Sequence, residues 1–196
     1  MIKVIRGRLD GFDGREALRY LGYCKRDIPE DGVRGLMEEC GSEVLRVQDL
    51  RAVYCEFPLV ADGDSLDLGF AKVNSHSLAL NLAGCKKIVL FACTAGAGID
   101  RLLAKYNRIS PSKAAAVQAT GAALVEAWCE EICTSLKREY GAVKPRFSCG
   151  YGDLPITLQR DIFAALSVTK NIGITLSDDC FMTPTKSVTA IVGICE

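Results

Sequence analysis

The 196 residues are 49% hydrophobic and 24% charged, enough apolar material for one buried core of ordinary globular composition. Lysine plus arginine and aspartate plus glutamate stand at 24 each, so there is no basic surplus for nucleic acid or an anionic membrane. No run approaches the roughly 20 apolar residues of a membrane span, and the start, MIKVIRGRLDG, lacks a signal peptide's apolar centre, which predicts a cytoplasmic protein.

In chain order, residues 2–9 read as a short strand, and Asp13 as the N-cap of a helix through 15–23 with Ala17, Leu18 and Leu21 on one face. Pro29 breaks the chain, and residues 30–41 predict a second short helix. The β-branched and aromatic content of 44–59 predicts one or two strands, followed by a turn at 61–65. Ser75 caps a helix that closes near Gly84; residues 86–94 form a buried strand, and 95–106 turn into a helix. Ser110-Pro111 opens the longest helix, with proline at its favoured first position, running to Tyr140 and ending at Gly141.

Beyond it lie the loop KPRFSCGYGDLP (144–155), an amphipathic helix over 157–167, and strands over 173–178 and 186–195 joined by 179–185. Nothing divides the chain, so residues 1–196 read as a single domain, mixed α/β or α+β.

Ten cysteines are spread over the whole chain without a CxxC pair, which argues against zinc and thioredoxin spacings. Several sit in apolar runs and read as reduced, mostly buried thiols.

The segment Arg146–Asp153 carries the most chemistry. Gly150 and Gly152 permit positive φ and close approach of backbone to a ligand. Arg146 offers a planar fork for a carboxylate, and Tyr151 a flat face for a base. Such a loop suits a ligand with a carboxylate at one end and an aromatic ring at the other; the plain alternative is a turn in which Arg146 caps a carbonyl. Glu126, Cys129, Glu130 and Cys133 fall on one stripe of the long helix. That stripe reads as a carboxylate facing a site and able to meet an ammonium, as a metal site on Cys129 and Cys133, or as a solvated glutamate beside core thiols. TAGAG (94–98) lacks phosphate-loop spacing. His76 is the single histidine, which disfavours histidine-based hydrolysis.

The segments FACTAGAGIDRLLAKY (91–106), ATGAALVEAW (119–128), RFSCGYGD (146–153) and GITLSDDCFMTPTKSVTAIVGI (173–194) together resemble the S-adenosylmethionine-binding activation domain of cobalamin-dependent methionine synthase. The resemblance implies an α+β fold, a curved domain around a twisted antiparallel sheet flanked by helices. It implies S-adenosylmethionine held by Arg146 at its carboxylate, by Ser148, Gly150 and Tyr151 along its length, and by Glu126 lining the pocket. Glu38 or Glu39 stands for the family's N-terminal acidic contact, and Leu176–Cys180 departs from the family's Leu-Thr-Glu-Ser-Phe stretch.

The implied activity is support of the reductive methylation of cob(II)alamin on a separate methionine synthase, with a flavodoxin-like or ferredoxin-like electron donor and no methyltransferase activity alone. Around His76, Asn74 and Ala79 replace the cobalt-binding Asp-x-His-x-x-Gly motif, so cobalamin is expected only through the partner. An accessory role for another corrinoid protein, and a cysteine-rich metal or redox protein, are the alternative readings.

Overall fold

The computed structural model describes residues 1–24 and 26–195. The first half comprises β1 (Lys3–Gly7), α1 (Gly14–Tyr20), α2 (Asp31–Val47), β2 (Leu50–Pro58), β3 (Val60–Asp62), β4 (Ser65–Asp67), β5 (Lys72–Asn74) and α3 (His76–Asn81). Then follow β6 (Lys87–Thr94), α4 (Ala97–Ile109), α5 (Pro111–Tyr140), α6 (Gln159–Leu166) and α7 (Val168–Ile172). Last come β7 (Thr175–Leu176), β8 (Met182–Thr183) and β9 (Ser187–Ile194).

An antiparallel sheet in the order β1-β2-β6-β9 divides the molecule. Its middle strands are apolar on both faces because both faces are covered. Val89, Phe91 and Cys93 of β6 and Ala190 and Val192 of β9 point into one cluster, with Leu124, Trp128 and Ile132 of α5. Ile88, Leu90, Ala92 and Ile191 point into the other, with Leu78 of α3, Ile162 of α6 and Ile172 of α7. The first layer is centred on α5, which α1, α2 and α4 flank. Trp128 lies so close to β1 that a Cβ on Gly7 would fall 2.5 Å from its ring. The fold is α+β, as expected.

Three local expectations are corrected. Residues 44–47 belong to α2, not to a strand: Met37, Cys40, Gly41 and Val44 are buried at helical spacing, and that face overrides the β-propensity of Val44 and Val47. The turn near 61–65 is correct, but it joins β3 to β4 in a small sheet with β5. That sheet buries Leu66 against the main body and was not expected. The strand over 173–178 shrinks to β7 paired with β8, because Gly173, at φ 72°, closes α7 and Cys180 N donates back to Ser177 O in a turn. Among the described residues no helix is long and apolar enough to cross a membrane.

Candidate functional site

The Arg146 loop hangs from the open edge of β9. Val143 bridges Ile194 and Phe147 bridges Ile191, with Lys144 N donating to Gly193 O at 2.8 Å and Phe147 N to Ile191 O at 2.8 Å. Four residue steps on this segment face three on β9, so it carries one extra residue between the bridges. Pro145, which has no N–H to give a ladder, sits in that stretch. A local excess of this kind re-aims a side chain, and here Arg146 turns toward α5 while Phe147 packs in the opposite layer.

The guanidinium of Arg146 is ion-paired with Glu126 and lies 3.7 Å from Glu130. Burial opposes its charge, and Cys129 and then Glu126 more than offset that, so its pKa stands above the ordinary arginine value. Arg146 is not sealed in this pair. It lines a cavity of about 530 Å3 together with Ser148 and Tyr151 from its own loop and Glu130, Cys133 and Lys137 from α5. That volume falls within the several hundred Å3 typical of small-molecule sites.

Glu126, Glu130, Cys133 and Lys137 recur at helical spacing, and the last three reach the cavity wall, whereas Glu126 stands behind the guanidinium. Glu130, Cys133, Lys137 and Lys144 are the wall residues that the loop motif alone did not reveal. The α5 stripe was the available signal, since its period extends to Lys137. Burial raises the Cys133 thiol to about 11, so it is protonated at neutral pH.

The loop is shaped by its glycines and its aspartate. Gly150 and Gly152 have φ of 88° and 55°, as their residue type predicted. A Cβ on Gly152 would lie 2.4 Å from Ser77 Oγ, so the chain has room for no side chain there. Asp153 accepts from Ser75 Oγ at 2.6 Å, His76 N at 2.7 Å and Ser77 N at 3.1 Å. Those bonds, the Ser75 hydroxyl first, hold its carboxyl well below the usual carboxylate range. Asp153 therefore ties the loop to the N-terminus of α3. Gly150 turns the chain, its N–H donating to Leu154 O at 2.9 Å. Tyr151 is 67% exposed, and its ring makes a T-shaped contact with Phe147, centroids 6.5 Å apart.

The other candidates lie elsewhere. His76 is exposed, and Asp64, whose carboxylate stands 2.9 Å from Nδ1, raises its pKa. Glu39 pairs with Lys113. Glu38 lies on a second cavity of about 530 Å3 between α1, α2 and α5, walled by Phe12, Leu18, Met37 and Leu45. From the N-terminal part, Tyr20 at the end of α1 comes within reach of the charge of Glu126, which after burial raises its pKa. Cys129 faces Cys93 across the core with sulfurs 3.5 Å apart. Among the described residues no three His, Cys, Asp or Glu side chains converge as a metal site.

No protein-family model matches the chain, and no curated protein does. Among solved structures, the chain is similar to the MetH reactivation domain bound to AdoHcy, with a TM-score of 0.77 and 15% identity over 99% of this chain and 78% of that one. At that identity what is shared is the fold, and the fold of this chain is that of the MetH reactivation domain.

Proposed function

We propose that the chain binds S-adenosylmethionine in the Arg146 cavity and supports the reductive methylation of cobalamin on a separate cobalamin-dependent methionine synthase. The observation that carries this reading is the convergence of Arg146, Ser148 and Tyr151 on one cavity of about 530 Å3, in a fold shared with a domain solved with AdoHcy. The donor set fits the ligand's chemistry. Arg146 takes the amino-acid carboxylate in place of its present contact with Glu126, Glu130 takes the ammonium, and Tyr151 stacks on the adenine. Gly150 sets the loop backbone along the ligand.

Cobalamin, bound by the partner, supplies the methyl acceptor, and a flavodoxin-like or ferredoxin-like protein supplies the electron. The residues of this chain orient the sulfonium methyl. None of them is needed as an acid or base, and the protonated Cys133 thiol on the wall is a poor methyl acceptor.

Titration calorimetry with S-adenosylmethionine tests the site. Arg146→Ala is expected to weaken binding by about 1.5–3 kcal/mol, the loss of a charge-assisted pair. Equal affinity in the two proteins removes the assignment. The activity is tested by mixing the chain with a methionine synthase that lacks its own activation domain, an electron donor and S-adenosylmethionine. Recovery of turnover is expected, and none without this chain.

A further inference from the structure

We infer that Cys85 and Cys195 form a redox modification site, a dithiol that closes to a disulfide by exchange with a small-molecule disulfide. Cys85 stands two residues before β6 and Cys195 one residue after β9. The two strands are paired with Lys87 opposite Ile194, so the cysteines meet at the same corner of the sheet. The Cys195 thiol lies beside that of Cys85 and, after burial, is the next cause raising its pKa, while the Lys144 ammonium acts in the opposite sense. Gly193 makes room for the pair: a Cβ there would fall 2.7 Å from Cys85 Sγ and 3.0 Å from Lys144 Cγ. Both cysteines are half-buried and so reachable by a small reagent. Cys93 and Cys129, whose thiols also meet, are fully buried.

Cys85 gives up its proton and attacks one sulfur of the small disulfide. The first small thiol leaves and takes up a proton, and a mixed disulfide remains on Cys85. Cys195, losing its proton in turn, attacks the Cys85 sulfur and releases the second small thiol. Two electrons and two protons pass from the protein dithiol to the small-molecule disulfide, which leaves as two thiols. The bridge would staple the end of β9 where Cys195 N already donates to Ala142 O at 2.9 Å, the start of the segment from which Arg146 hangs. The inference concerns the thiols alone and stands apart from any ligand of the cavity.

The test is incubation of the full chain with glutathione disulfide, blocking of free thiols with an alkylating reagent, and peptide mass spectrometry without reduction. The expected product is a Cys85–Cys195 cross-linked peptide that disappears on reduction and is absent from Cys195→Ser and Cys85→Ser. In each single variant, the remaining cysteine should stop at a glutathione adduct. Alkylation of both cysteines in the oxidised native protein, or a bridge through Cys93 and Cys129 instead, overturns the proposal. Circular dichroism of the variants separates loss of the bridge from loss of the fold.

Discussion

Lys186 and Gly152 show at single positions how sequence type and environment part. Lysine is almost never fully buried, yet Lys186 is 6% exposed, its stem against Gly121. Burial lowers its pKa from the ordinary 10.5, and Asp100 only partly restores it. The unfolded chain therefore binds the proton more tightly than the folded one, and the native state is penalised at neutral pH by an amount that vanishes as pH approaches 10.5. Lys186→Met keeps the stem and removes the charge, so it should raise the melting temperature at neutral pH, with a gain that shrinks in alkaline buffer. A gain independent of pH would show that packing rather than charge is responsible. At Gly152 the positive φ and the approach of Ser77 act together. Gly152→Ala should cost more than about 1 kcal/mol in urea unfolding, and ligand affinity should fall with it as the Arg146 loop shifts.

Helix α3 and helix α5 hold the site between them. The start of α3 is buttressed by Ser75, which is buried, accepts from Leu78 N at 3.1 Å and donates to Asp153. Ser75→Ala removes a cap and one partner of Asp153 together, and should destabilise the fold by about 1–2 kcal/mol. Hydrogen exchange should report faster opening in residues 148–154 than in α5. Uniform loosening of the chain would mean that the cap serves α3 alone. On α5 the sequence displayed the stripe of Glu126, Cys129, Glu130 and Cys133, but not which member reaches the cavity. That is decided by the extra residue opposite β9, which swings Arg146 onto Glu126 and leaves Glu130, Cys133 and Lys137 on the wall. Glu38 lies on the second cavity and Glu39 pairs with Lys113, while the packing of α1 on α5 brings Tyr20 within reach of the charge of Glu126.

At the scale of the molecule, a sheet covered on both sides gathers thiols into low-dielectric surroundings. Burial pushes Cys133 up to about 11 and Cys149 up to about 12 from the ordinary 9.0. Between those values the folded chain holds protons that the unfolded chain releases. Their contribution to stability is thus complete below pH 9 and lost as pH rises toward 12. Urea midpoints under reducing conditions should fall as pH rises above about 9, and less steeply in Cys149→Ala once its own destabilisation is subtracted. A midpoint that does not move would mean that these thiols titrate normally.

What the sequence determined by itself was local: the 30-residue helix α5 between Ser110-Pro111 and Gly141, the apolar strands β6 and β9, and the turn-forming glycines of the Arg146 loop. Each follows from periodicity, capping or φ preference within a short window of chain. Only the tertiary structure decided that residues 44–47 continue a helix, that β3, β4 and β5 form a sheet, and that Asp153 caps α3 from 78 residues away. It alone also gave Arg146 a cavity rather than a bare ion pair. Those outcomes depend on which distant surfaces exclude water together, and no window of local sequence contains both partners.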